Sequence, residues 1–262
     1  MDRRPRKNPQ RDLQTDEARL DVIVDGLRLH GRAYVPHDAR GLVLLLHGIP
    51  SIHPPDPDDG GYAGLAKRLA AEGFAAAYVD MRAARSSPGF FSIEGWVRDA
   101  TAALYAATSL AGARGLPVAL VGSSAGGAVA TEVARREPSV AALALLAAPA
   151  SWISFAGEPR EGLRRITEEA GMATAPEVQA DPAGWAAEFE SVCTEDSVSR
   201  VACPVLVVHG TEDDVVPVHH AARIADRARR AELRILQGEG HQLRRAEEAI
   251  ELLVGFLRRH LR

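Results

Sequence analysis

Three short stretches of this chain hold residue types that together can open a carbonyl group. They are Gly122-Ser123-Ser124-Ala125-Gly126-Gly127, His209-Gly210-Thr211-Glu212-Asp213-Asp214 and Gly238-Glu239-Gly240-His241. A serine hydroxyl is a poor nucleophile at neutral pH unless a base removes its proton as it attacks. An imidazole changes charge near neutrality and suits that role, which falls to His241. A buried carboxylate then fixes the imidazole tautomer and stabilises the imidazolium, and Asp213 stands where such a group is needed. The serine stretch reads as G-x-S-x-G centred on Ser124. Centring it on Ser123 would put Val121 and Ala125 at the positions where a sharp strand-to-helix corner has no room for a Cβ. The turn alone is weak evidence, since any tight corner needs small residues. Its weight comes from a carboxylate and a histidine following at two later corners.

Each of the three stretches follows an apolar run: "VALV", "PVLVV" and "ELRIL". Further runs, "GLVLLLHG", "FAAAYVD" and "VAALALLAA", alternate with amphipathic segments such as "YAGLAKRLAAEG" and "SIEGWVRDATAALYAATSLA", the latter with Ser92 as a candidate N-cap. Such alternation predicts an α/β fold with a mostly parallel sheet and helices on both faces. Asp25-Gly26 between "RLDVIV" and "LRLHGRAYV" predicts an antiparallel hairpin at the start, which makes the sheet mixed. In an open sheet of this kind ligands collect at the carboxyl ends of the strands, where all three stretches lie.

The chain length of 262 residues fits one large domain. The reading is a flexible basic tail over 1–18 and a single domain over 19–262, interrupted at about 150–200 by a small cap or lid insertion. That insertion holds Trp152, Phe155, Trp185 and Phe189, which are expected to line an apolar substrate pocket. A hydrophobic content of 46% and a formal net charge of −4 give no reason to expect a nucleic-acid partner. The N-terminus lacks the apolar stretch of a secretory signal, and no run of 18 apolar residues occurs, so a cytoplasmic protein without a membrane span is expected. Two cysteines, Cys193 and Cys203, with no CxxC spacing argue against a disulfide scaffold or cysteine zinc site. The loop His53–Gly61 carries several aspartates without calcium-loop spacing, so no metal and no cofactor is expected.

The quoted stretches, with "HGIP" at 47–50 and "DMRAARSSPG" at 80–89, resemble the α/β-hydrolase family over about residues 20 to 260. The resemblance implies the α/β-hydrolase fold, with Ser124 as the nucleophile at the elbow and His241 as the base. "HGTEDDVVP" fits the family pattern H-G-x-x-D-x-x-V-P, which selects Asp213 over Asp214 as the acid. The amides of Ala125 and Ile49 match the family's oxyanion hole. "FFSIEGWVRDATAAL" is similar to a subgroup of small hydrolases described as esterases or serine aminopeptidase-like proteins. One departure stands out: where the family commonly has D-x-R-G-x-G-x-S, this chain reads Asp80-Met81-Arg82-Ala83-Ala84-Arg85-Ser86, with alanines where glycine is usual. Alanine avoids positive φ far more than glycine does, which leaves the shape of that loop open.

These readings converge on a serine hydrolase that cleaves a small-molecule carboxylic ester through an acyl-enzyme. An ester is preferred because no basic or acidic pocket is visible in the sequence. An aminopeptidase or amidase with the same three residues is the alternative, its amine held by Glu188, Glu190 or the Asp56–Asp59 loop. Thioester or lactone cleavage is a weaker variant. A non-catalytic ligand-binding protein of the same fold is the competing class, although such proteins commonly lose one of the three residues and none is missing here. His219-His220 reads as a surface pair.

Overall fold

The computed structural model describes residues 14–51, 59–152 and 157–262. Strands β1 (Thr15–Val24) and β2 (Leu27–Pro36) form an antiparallel hairpin. Its turn holds Asp25 at φ 49° and Gly26 at φ 75°, the left-handed pair whose twist matches a two-residue hairpin. Because β1 begins at Thr15, residues 15–18 pair with β2 rather than belonging to a tail. They are polar and largely exposed at the sheet edge, which is why their pattern does not announce a strand.

Strands β3 (Leu42–Leu46), β4 (Ala75–Val79), β5 (Val118–Ser123), β6 (Val140–Leu146), β7 (Val205–Gly210) and β8 (Ala231–Leu236) complete an eight-stranded sheet. The spatial order is β1-β2-β4-β3-β5-β6-β7-β8, antiparallel through β2–β4 and parallel from β4 to β8. Every residue of β3 is buried, and its side chains alternate between two cores. Leu42, Leu44 and Leu46 join the core that contains α2 (Ile93–Thr108) and α3 (Ala125–Arg136), while Val43 and Leu45 join the one that contains α1 (Gly61–Ala71). A strand covered on both faces must be apolar throughout, as the "LVLLL" run foretold. The mostly parallel sheet with helices on both faces is the α/β architecture read from the alternation.

Between β6 and β7 the chain leaves the alternation through α4 (Pro159–Arg164), a π-helical turn (Arg165–Glu169), α5 (Pro176–Ala180), α6 (Pro182–Ser191) and α7 (Thr194–Val198). This excursion is tied to the main domain by polar contacts. Ser92 Oγ, which caps α2 by accepting from the Gly95 amide, donates to Glu188, and Ser191 Oγ donates to Glu94 at 2.7 Å. Apolar packing supplies the rest: Trp185 lies 4.9 Å from Phe189 and Phe189 5.1 Å from Trp152, ring centre to ring centre. α8 (His219–Arg227) and α9 (Glu247–His260) complete the layers. Among the described residues no helix is long and apolar enough to cross a membrane.

The loop after β4 is anchored by charge. Arg82 and Asp99 are both buried, joined by side-chain bonds of 2.7, 3.0 and 3.1 Å, while the Arg82 amide donates to the same carboxylate. Asp25 of the hairpin turn takes a second bond from Arg82, and the Trp96 indole donates to the Arg82 carbonyl. Arg82→Met leaves the Asp99 carboxylate buried without its partner and is expected to cost about 3–5 kcal/mol in urea unfolding. The double variant Arg82→Met/Asp99→Leu should recover much of that loss. A single variant as stable as wild type contradicts this account.

Candidate active site

Ser124 sits at the corner between β5 and α3 with φ 53° and ψ −127°, a backbone conformation that costs a non-glycine residue of order 1–3 kcal/mol. The surroundings impose it. A Cβ on Gly122 would lie 2.3 Å from the Gly126 carbonyl oxygen. One on Gly126 would lie 2.3 Å from the Leu46 oxygen and 2.4 Å from that of His47. One on Gly48 would meet the Ser124 Cβ at 2.8 Å. The exits of β3 and β5 therefore touch backbone to backbone, and Ile49 and Ala125 both border one cavity beside Ser124.

His241, after β8, donates from Nδ1 to Asp213 at 2.9 and 3.0 Å. That leaves Nε2 as the ring's lone-pair atom. Asp213 is buried and accepts from the amides of Val215 at 3.0 Å and Val216 at 2.8 Å. Burial alone would raise its pKa, but hydrogen bonds from His209 and His241 and the Val216 amide outweigh it and hold the carboxyl well below the usual range. Asp214 is exposed and makes no bond to His241. Ser124 and His241 share a cavity of about 1670 Å³.

Several contributors stand beside the three residues that the motifs single out, among them His47, whose place before the candidate oxyanion position reads as that of a histidine holding its turn. His209 Nε2 lies 3.1 Å from Asp213 and 2.8 Å from the Val216 carbonyl, so the carboxylate sits between two imidazoles. It is the first residue of the "HGTEDDVVP" pattern, which could have flagged it. His47, buried at the end of β3, accepts from the Met81 amide at Nε2 and donates from Nδ1 to the Gly48 carbonyl. Burial first, then the charge of Arg85, lowers its pKa to about 3, so it clamps β3 to β4 as a neutral ring. Tyr62 and Ser123 both border the cavity beside Ser124.

The aromatic residues of the excursion divide. Trp152 borders the cavity, whereas Trp185 and Phe189 are 3% and 1% exposed and belong to the core with Phe91 and Trp96. They do not line the pocket as expected, because helical spacing cannot tell the face of a cap helix that meets the domain from the face that meets a ligand. Phe155 lies outside the described residues, as do His53, Asp56 and Asp58. The wall is also far more charged than the sequence indicated: Arg85, Arg165, Arg223, Arg244 and Arg245 all border the cavity. Nor are His219 and His220 a plain surface pair, since both reach the same wall. The loop at 80–87 keeps a glycine-like shape without glycine, with Ala83 at φ 60° and Arg85 at φ 50°. Among the described residues no cluster of histidine, cysteine and carboxylates could hold a metal ion.

The family model for serine aminopeptidase, S33, matches residues 37–180, and that for TAP-like protein matches residues 168–259. The chain belongs to the serine aminopeptidase S33 family of α/β hydrolases. Mitochondrial palmitoyl-protein thioesterase ABHD10 of Homo sapiens is 27% identical over 147 residues, 53% of this chain and 48% of that protein. The chain thus spans about half the length of this curated relative. Among solved structures, Est1E from Butyrivibrio proteoclasticus, seen with ferulic acid, has a TM-score of 0.70 at 20% identity, covering 93% of this chain and 98% of its own. The Pyrococcus furiosus esterase Pf2001 has a TM-score of 0.69 at 16% identity, covering 100% and 97%. Both likenesses show the α/β-hydrolase fold.

The cavity wall carries a titration that can be measured. His220 Nδ1 accepts from the Ala150 amide at 2.9 Å. Burial first, then neighbouring His219 and Arg223, lowers its pKa from 6.5 to about 4. The unfolded chain binds this proton before the folded one, so the contribution is present above pH 6.5 and is lost as pH falls toward 4. His220→Gln, which can still accept from Ala150, is expected to lose less stability than wild type over that interval in urea titrations. Parallel losses in the two proteins contradict the assignment.

Proposed function

We propose that the protein is a serine hydrolase that cleaves carboxylic esters, oxygen or sulfur, through an acyl-enzyme. The observation that carries the reading is one cavity containing a strained Ser124 and a His241 whose Nδ1 is held by a buried carboxylate. Ser124 Oγ attacks the carbonyl while His241 Nε2 takes its proton, and the Ile49 and Ala125 amides receive the oxyanion, each contributing about 3–4 kcal/mol in the transition state. Collapse breaks the bond to the leaving group, which departs with the proton from His241. A water then gives its proton to the same imidazole, attacks the acyl carbon and releases the acid with Ser124 restored.

A peptidase or amidase reading would need a carboxylate free to hold the substrate's amine. Most acids near the cavity are committed: Asp59 to Arg244, Glu168 and Glu169 to Arg164, and Glu188 to the Ser92 hydroxyl. These pairings favour an ester. Asp214 borders the cavity without an ion pair among the described residues and keeps an aminoacyl substrate as the second reading.

A fluorophosphonate probe should add its mass to the wild-type protein and leave Ser124→Ala unshifted. An unchanged wild-type mass, or equal labelling of both, overturns the reading. On p-nitrophenyl acyl esters Asp213→Asn should lose roughly 10⁴-fold in kcat while Asp214→Asn stays near wild type, and the opposite ranking removes Asp213 from the mechanism. Faster turnover of aminoacyl anilides than of acyl esters favours the peptidase.

A further inference from the structure

Arg85 stands at the second glycine of the D-x-R-G-x-G-x-S turn. Its φ of 50° is the conformation that glycine adopts freely and a long side chain does not. The turn takes this glycine-like φ with an arginine, which puts a cation on the cavity wall. The Arg85 guanidinium lies 5.7 Å from the centre of the Tyr62 ring, and Arg244 lies 5.6 Å from the same ring. Tyr62 borders the same cavity as Ser123 and Ser124.

The cations on this wall differ in how fully they are answered. Asp59 takes both terminal nitrogens of Arg244. Glu195 takes Arg223 through bonds of 2.6 and 3.0 Å. Arg85 has, among the described residues, one ionic contact of 3.4 Å to Asp80, and Asp80 also accepts from the Ser86 hydroxyl at 3.1 Å. A guanidinium presents five N–H donors in a planar fork. Most of those on Arg85 are unclaimed, and the side chain is 43% exposed where it borders the cavity.

We propose that Arg85 is a specificity residue that binds a carboxylate of the substrate beside Tyr62, so that the ester cleaved here carries a negative charge near its scissile bond. This rests on Ser124 as the acyl-transfer nucleophile. The carboxylate sits either on the acyl chain or on the leaving group, and two substrate pairs separate the cases. Mono-p-nitrophenyl succinate is compared with p-nitrophenyl butyrate, and 4-acetoxybenzoate with phenyl acetate. Wild type should favour the charged member of one pair, which identifies the side. The charged-to-neutral ratio of kcat/KM should fall by about tenfold or more in Arg85→Gln and be partly kept in Arg85→Lys. A preference for the neutral member in both pairs, or a ratio unmoved by Arg85→Gln, overturns the proposal. Binding gives a readout independent of turnover. Ser124→Ala protein titrated calorimetrically with succinate and with 4-hydroxybenzoate should bind at least one, more weakly at high salt, and lose it on adding Arg85→Gln. Binding of neither, or equal binding by both proteins, counts against Arg85. Failure of the Ser124 chemistry is seen separately, as esters cleaved equally by Ser124→Ala.

Discussion

The contact that the rest of the site depends on is steric: the backbones leaving β3 and β5 touch. Gly48, Gly122 and Gly126 have no side chain because no volume is left for one. That closeness forces Ser124 into a left-handed conformation, since the chain must turn from strand to helix within a single residue. It also brings the residue after Gly48 and the first residue of α3 to the same end of the same cavity. The strain at Ser124 persists because both flanking elements are buried on two faces and cannot give way.

The other corners of this sheet edge are held by polar side chains rather than by packing. Neutral His47 ties β3 to β4, Arg82 ties the following loop to α2, and His220 takes the Ala150 amide after β6. Each group fills a backbone valence that would otherwise be buried unmet, the usual condition for an ordered loop in a dry wall. The site thus stands on a fixed frame, which the proposed acyl transfer would require, since donors aimed at a developing oxyanion act only if they need no reorganisation.

Much of this was legible because it is local. The glycine spacing around Ser124, the hairpin dipeptide Asp25-Gly26 and the cap at Ser92 each express a constraint within a few residues, and each has its structural counterpart. What could not be read depends on reach. Arg244 meets Asp59 across 185 positions, and no periodicity reports where a long guanidinium ends. The same holds for the charged wall, which the sequence concealed behind an ordinary net charge of −4. Trp185 and Phe189 mark a third kind of limit. Their apolarity predicted burial correctly, but burial against the domain and burial against a ligand have the same pattern in one dimension.

Asp213 has two imidazole neighbours, and they differ in what they can reach. His209 is fully buried, its Nε2 2.8 Å from the Val216 carbonyl and 3.1 Å from Asp213, and its Nδ1 has no partner among the described residues. It does not border the cavity, so no proton it carries can reach a substrate. Of the two imidazoles beside Asp213, only His241 borders the cavity, with 20% of its side chain exposed. The work of His209 is therefore done on the carboxylate. Together with the Val215 and Val216 amides and His241 it supplies four donors, which saturate the lone pairs of Asp213 and fix its plane. A carboxylate so held is fixed in place and favoured as the anion. Asp214, one residue on and exposed where it borders the cavity, has none of these donors.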